Sequence, residues 1–277
     1  MASMDGHADE TLRFDETKCL FVLERDGRRR AWMEFLGTPP HDVVLVHPRC
    51  EEGIDPLAAA ARLVEAGVRR AREGGCARLG LVLEDRLPHA AALVAAAPTW
   101  GFAFDADKLL VRAAVADLRI DALPEPPPGA TFVAHDPELA DVFQRVLATS
   151  LSRSDRETDA VEELAAFEAR ARGDGGFHPE DWVVLRIDGV AAGVVIPAFL
   201  DARRDGGTLF YVGVLPAFRG RGLGAVLTRR GVETMLARGA TRYADSCNAL
   251  NTSMRRIFDR LGCGLVTTQH FFDRRLG

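Results

Sequence analysis

Tyr211-Val-Gly-Val-Leu-Pro-Ala-Phe-Arg-Gly-Arg-Gly-Leu-Gly-Ala-Val-Leu-Thr228 carries an apolar strand through a basic, glycine-dense loop into an amphipathic helix. Gly220, Gly222 and Gly224 permit a tight turn and a close backbone approach to a ligand, because no Cβ stands in the way. Successive N–H groups and the helix dipole then converge on an anion, to which Arg219 and Arg221 add fixed positive charge. A Rossmann turn would match Gly220-x-Gly222-x-x-Ala225 with Asp245 downstream. Such a turn leaves its strand directly, whereas Pro216-Ala-Phe-Arg219 intervenes here and about fifty residues follow. A P-loop is excluded, since no GxxxxGK[ST] occurs. The bland alternative is a solvated turn with incidental glycines and arginines.

Beyond the loop, Leu223, Leu227, Gly231 and Met235 recur at every fourth residue with Val226, Val232 and Leu236 beside them, an apolar helix stripe ending near Gly239. A strand over residues 241–247 leads to Asn248-Ala-Leu-Asn251-Thr-Ser-Met254-Arg-Arg-Ile-Phe258-Asp-Arg-Leu-Gly262-Cys263. From Arg219 the spacing reads RxxGxG, and with Val214-x-Pro216 it resembles the acetyl-coenzyme A signature of the GNAT N-acetyltransferase superfamily. The later segment resembles the second GNAT signature, NxxAxxxYxxxGF, with Asn251 at its asparagine and Met254, Phe258 and Cys263 at its Ala, Tyr and Phe positions.

The resemblance implies an α/β (α+β) chain of GNAT-like domains, each a mixed, mostly antiparallel sheet flanked by helices, with one splayed strand pair. It implies acetyl-CoA as co-substrate. Arg219, Gly220, Arg221, Gly222, Leu223, Gly224 and Ala225 would bind it around the pyrophosphate, and the main chain of Val212 and Val214 with Asn251 would hold the pantetheine arm. Val212 and Val214 also read as an ordinary buried strand, and Asn251 as a cap of the helix over residues 252–261.

At 277 residues, 47% hydrophobic and 27% charged, the chain is long enough for two modest domains. Its net charge of -5 argues against broad nucleic-acid binding, with Arg28-Arg-Arg30 read as a solvated turn. No apolar run reaches membrane-spanning length and residues 1–10 lack a secretory apolar segment, so a cytoplasmic protein is expected. Cysteines at 19, 50, 76, 247 and 263 form no CxxC pair and read as reduced thiols. The histidines, His47, His178 and His270 among them, do not cluster with Cys, so no metal site is expected.

Pro124, Pro126, Pro127 and Pro128 deny backbone donors and stiffen a linker over residues 116–129. A related order stands on each side: Leu20 to Gly27 and Trp182 to Gly189 both run as a strand into an Asp-Gly turn, each followed by two further strands. Residues 130–277 are the expected catalytic GNAT domain. Residues 11–115 are the expected degenerate, truncated one, structural or substrate-shaping, because Arg49-Cys-Glu-Glu-Gly-Ile-Asp55 offers one glycine and three carboxylates where phosphates would sit. Helices are expected from about 136 to 149 and over 157–172, the second followed by a Gly173-Asp-Gly-Gly176 loop; in the resembled fold they cover the acceptor side.

Transfer to an amine requires a proton acceptor, because an alkyl ammonium with a pKa near ~10 cannot attack. No Asp or Glu lies between Gly207 and Leu215; Glu180, Asp201, Asp205 and Asp245 read as solvated neighbours. Phe258 has no proton to give at the position where the family often has the tyrosine that protonates the thiolate. Tyr211, on the strand face opposite Val212, and Tyr243 carry no assigned role, and Cys247 reads as a small buried thiol. The expected function is acetyl transfer from acetyl-CoA to the amine of a small molecule or amino-acid-like acceptor, without nucleic acid or membrane as partner and with a homodimer left open. A non-catalytic acyl-CoA-binding or protein-interaction module is the alternative. The two-domain plan and Tyr211-Val-Gly-Val214 are also similar to mycothiol synthase.

Overall fold

Two Asp-Gly turns give the chain its repeated start. Asp26 and Gly27 have φ of 54° and 69°, and Asp188 and Gly189 have φ of 49° and 82°, the paired positive values of the two-residue turn that matches strand twist. The computed structural model describes residues 10–37, 39–40, 43–173, 176, 178–199 and 205–277, side chains of 170–173 excepted. Residues 1–9, Asp201, and Asp174 and Gly175 of the 173–176 loop lie outside the described residues.

The elements of the first part are β1 (Glu10–Asp15), β2 (Leu20–Arg25), β3 (Arg28–Leu36), β4 (Val43–Cys50), α1 (Pro56–Glu73), β5 (Arg78–Glu84), α2 (Ala90–Ala96) and β6 (Ala103–Ala114). There follow β7 (Ala130–Ala134), α3 (Leu139–Leu147), α4 (Arg153–Glu157), α5 (Ala160–Gly173), β8 (Val183–Ile187), β9 (Val190–Phe199) and β10 (Gly206–Val214). The chain closes with α6 (Leu223–Ala237), β11 (Arg242–Asn248), α7 (Thr252–Leu261) and β12 (Gly264–Arg275).

Two compact units result, residues 1–107 with 267–277, and residues 108–266. The first unit has strand order β1-β2-β3-β4-β5-β12, all antiparallel except β4 against β5. Its core lies under α1 and includes Leu45, Leu63, Leu79, Leu81 and Leu83, all fully buried. The second has order β6-β11-β10-β9-β8-β7, antiparallel except β10 against β11. One of its cores lies under α6 and α7, with Leu209, Leu227, Tyr243 and Phe258; the other lies under α3 and α5, with Phe143, Phe167, Trp182 and Ile196.

These units divide inside β6 and β12 and not at the proline-rich stretch, which falls within the second unit. Strand pairing is the reason. Lys108 to Ala114 hydrogen-bond to β11, so this stretch of β6 belongs to the second unit's strand order. Gln269 to Arg275 pair with β5 instead, and the end of the chain completes the first unit's sheet.

Candidate functional site

β10 loses its neighbour on one side. It runs parallel to β11 at Gly206↔Arg242 and Gly207↔Tyr243, and among the described residues no further pair joins the two strands. The gap therefore opens at Thr208 and leaves the β11-facing edge of residues 208–214 outside any ladder. On the other edge, β10 bulges: Leu209 faces Pro197 and Tyr211 faces Ile196, with Phe210 as the extra residue. Pro197 has no N–H for a ladder and is tolerated at such a break.

The bulge also sets which way side chains point. Leu209 packs under α6 against Gly231, where an added Cβ would collide with it, and simple alternation would send Tyr211 the same way. With one residue inserted, Phe210 and Tyr211 both face α3 and α5, stacking edge-on with Phe167 and Phe143 at 4.4 and 4.9 Å. Val212 and Val214 pack instead against the core beneath α6.

β10 leads through a single 3₁₀ turn over Pro216–Phe218 into the glycine loop. Gly220 and Gly222 have φ of 78° and 77°, a left-handed backbone that glycine adopts without strain, and a Cβ on either would meet open space. Gly222 is the N-cap of α6 and no side chain caps the helix, which leaves its first amides directed outward. Leu223 and Ala225 are buried, so they can meet a ligand through main-chain atoms alone; the Ala225 N–H already donates to the Gly222 carbonyl at 3.0 Å.

The two loop arginines differ. Arg219 donates from Nε to the Val214 carbonyl at 3.1 Å and from Nη2 to Thr149 Oγ1 at 2.5 Å, bracing the loop against the strand end. Arg221 lies over the Phe218 ring at 5.2 Å, exposed beside the uncapped helix, and is the freer cation for a phosphate. Asn251 is the N-cap of α7, its Oδ1 accepting from the Met254 N–H at 3.0 Å, so any coenzyme contact falls to its Nδ2.

The corresponding helix start in the first unit is closed. Asp55 caps α1, its carboxylate accepting from the N–H groups of Leu57 and Ala58 at 2.9 and 3.2 Å, with Pro56 next in the chain. A phosphate there would meet a carboxylate already holding those amides. A cavity of about 400 Å³ remains beside it, walled by Trp32, Pro48, Ala59, Leu63, Leu87 and Leu93.

Asp245 departs from the sequence reading. It is buried, because β11 alternation puts Tyr243, Asp245 and Cys247 on the inner face, a signal visible in the apolar character of its two neighbours at i±2. Its carboxylate stands at the root of the gap, accepting from Tyr243 Oη at 2.6 Å and from the N–H groups of Ser246 and Leu209. Burial pushes it up to about 7, against the pull of those three donors. Glu180 and Asp205 are tied to Arg238 and Arg242. Burial raises Cys247 to about 11, so the thiolate is scarce at neutral pH.

The raised carboxyl makes stability depend on pH in a definite direction. A folded value above the unfolded 3.8 leaves the full contribution below about pH 4 and removes it progressively as pH climbs to about 7. Asp245→Asn abolishes that loss. Relative to its own value at pH 4, the variant should gain on the wild type in urea unfolding by up to ~4 kcal/mol by pH 8, three units at ~1.36 kcal/mol each. Parallel curves for the two proteins across this range would refute the assignment.

Residues 145–263 match the acetyltransferase (GNAT) family. No curated protein sequence matches the chain. Among solved structures the chain is similar to a GCN5-related N-acetyltransferase from Sphaerobacter thermophilus, at 16% identity over 94% of this chain and 81% of that one, with a TM-score of 0.62. A tandem GNAT protein from the clavulanic acid biosynthesis pathway is similar at 16% identity over 93% and 82%, TM-score 0.59. A GCN5-related N-acetyltransferase from Kribbella flavida is similar at 18% over 96% and 89%, TM-score 0.52. At such identities the likeness is one of fold.

Proposed function

We propose, since residues 145–263 belong to the GNAT acetyltransferase family, that this protein transfers an acetyl group from acetyl-CoA to the amine of a small-molecule or amino-acid-like acceptor. The observation that carries this reading is continuity: the open edge of residues 208–214 runs into an uncapped helix N-terminus flanked by Arg221. A ligand with a pyrophosphate at one end and an amide-bearing arm at the other fits that layout. The amides of Leu223 and Gly224 with Arg221 would take the phosphates, and main-chain groups of Val212 and Val214 with Asn251 Nδ2 would take the arm. Bound acetyl-CoA supplies an activated acyl carbon whose thiol, with a pKa near ~8.5, leaves readily.

Catalysis is assigned to residues 130–277 within this reading, and residues 11–115 serve as the degenerate half, consistent with Asp55 closing the start of α1. A cytoplasmic setting suits five free cysteines, and no helix among the described residues is long and apolar enough to cross a membrane.

Phe258, 2% exposed and without a titratable group, favours a second reading in which the chain binds acyl-CoA without transferring it. Thermal shift with acetyl-CoA followed by thiol-release assays separates the two. Acetyl-CoA at a hundred times its Kd should stabilise the fold by ~2.7 kcal/mol, and thiol should appear with an added amine. Stabilisation without thiol release across a broad amine set supports the binding module; no stabilisation removes both readings.

A further inference from the structure

Three side chains from separate elements meet on the α3 face of β10. Tyr211, turned there by the bulge, is held by its edge-on contact with Phe143 and hydrogen-bonds through its hydroxyl to Ser150 in the loop after α3. Ser150 Oγ donates to Asp155 Oδ2 of α4 at 2.6 Å. The serine is fixed from two more sides: its Oγ accepts from the Ser152 N–H at 3.2 Å, and its carbonyl accepts from Arg156 Nη1 at 2.7 Å. A serine hydroxyl has one proton and two lone pairs, so with its proton on Asp155 and one lone pair on Ser152, the remaining lone pair receives the tyrosine proton.

We infer that Tyr211, backed by Ser150 and Asp155, is the proton-accepting group that the strand lacks, an inference that rests on the transferase reading above. β10 has no carboxylate between Gly207 and Leu215, yet a carboxylate reaches it through two hydroxyls. Tyr211 lies in the segment that has lost its β11 partner, so its edge of the strand borders the gap where the thioester would lie.

The step balances as follows. The amine nitrogen forms a bond to the acyl carbon, the C–S bond breaks, and sulfur leaves with the electron pair. The surplus proton on nitrogen passes to Tyr211 Oη as the tyrosine proton passes to Ser150 Oγ and the serine proton to Asp155, which ends one proton richer. Tyr211 is never a free phenolate. Burial agrees, holding its hydroxyl well above the usual tyrosine range; the charges facing it are Asp155, which pushes the same way, and Arg219, which pulls it down. Tyr211 would be the catalytic residue of the relay, and Ser150 and Asp155 its positioning and proton-storing partners.

Tyr211→Phe keeps the ring packed on Phe143 and removes the hydroxyl alone. With phenylethylamine, histamine, putrescine, lysine and glucosamine as probe acceptors, kcat for the best of them should fall roughly tenfold to a thousandfold, while the Kd for acetyl-CoA stays within about twofold. Ser150→Ala should fall similarly and Ser150→Thr should recover most of the loss. The dependence of rate on deuterium fraction, curved when several protons move together, should become linear in Tyr211→Phe. A Tyr211→Phe protein with undiminished kcat on an amine that the wild type acetylates sinks the relay and leaves the transferase reading intact. A wild type that binds acetyl-CoA but acetylates none of these amines sinks both.

Discussion

Gly224→Glu is expected to weaken acetyl-CoA binding by on the order of a hundredfold, about 2.7 kcal/mol, while the melting temperature stays within about two degrees of wild type. Gly224 lies in the first turn of α6 with no positive φ, and its added Cβ would sit at ordinary contact distance from Ile257 and Val214, 3.7 and 3.9 Å. Nothing in the fold itself asks for glycine here. A carboxylate in the first turn also suits the helix dipole, so the substitution is neutral or favourable for folding and adverse only to an anionic ligand in the same place. Gly222 is a poorer choice for this test, since at φ 77° any side chain strains the backbone and would mix folding with binding. Isothermal titration of both proteins decides it; equal affinities would remove the pyrophosphate from the start of α6.

Phe272→Ala should destabilise the first unit by about 3–5 kcal/mol, the usual cost of emptying a buried aromatic site. Phe272 is 4% exposed, faces Leu81 across the β12–β5 ladder and meets the Phe104 ring edge-on at 5.7 Å. By sequence it sits in the half assigned to catalysis, so the intuitive expectation is damage to the coenzyme loop. Hydrogen exchange read by peptide separates the two outcomes. Residues 43–50 and 78–84 should lose protection first; loss confined to β10 and α6 would contradict the strand pairing described here.

Much of the second unit was legible because its signals are local. The Asp188-Gly189 turn, the apolar stripe of α6, the glycine loop and the Asn251 cap each depend on residues a few positions apart. The helix Thr252–Leu261 matches its expected bounds for the same reason, opening on the Asn251 cap and closing on Gly262. What escaped is non-local. The part of β12 that closes the first unit, Thr267-Thr-Gln-His-Phe-Phe-Asp-Arg-Arg275, has its partner, β5, far upstream; β1 and β7 are short and partly exposed edge strands. The prolines at 124–128 do not set where compact units divide, because that follows from which strands share ladders.

The same contrast governs the chemistry. RxxGxG is a contiguous pattern, whereas Ser150 and Asp155 lie in a loop and a five-residue helix remote from Tyr211, and nothing in the spacing ties them together. Asp245 was misread because nearness along the chain was taken for exposure, when strand parity with Tyr243 and Cys247 already placed it inside. Pro197 was the available clue to the bulge, since a proline in a strand flanked on both sides marks a place where pairing must break.

Residues 267–277 close the sheet of a unit whose first strand starts at Glu10, and this constrains the order in which the molecule can be made. On the ribosome the first unit has β1 to β5 long before the strand that covers β5 has been translated, so its edge waits unprotected while the second unit is being synthesised. Maturation of the earliest part must therefore be a late event. For the same reason neither half can be cut out at residue 116 or 129 and be expected to behave as an independent protein.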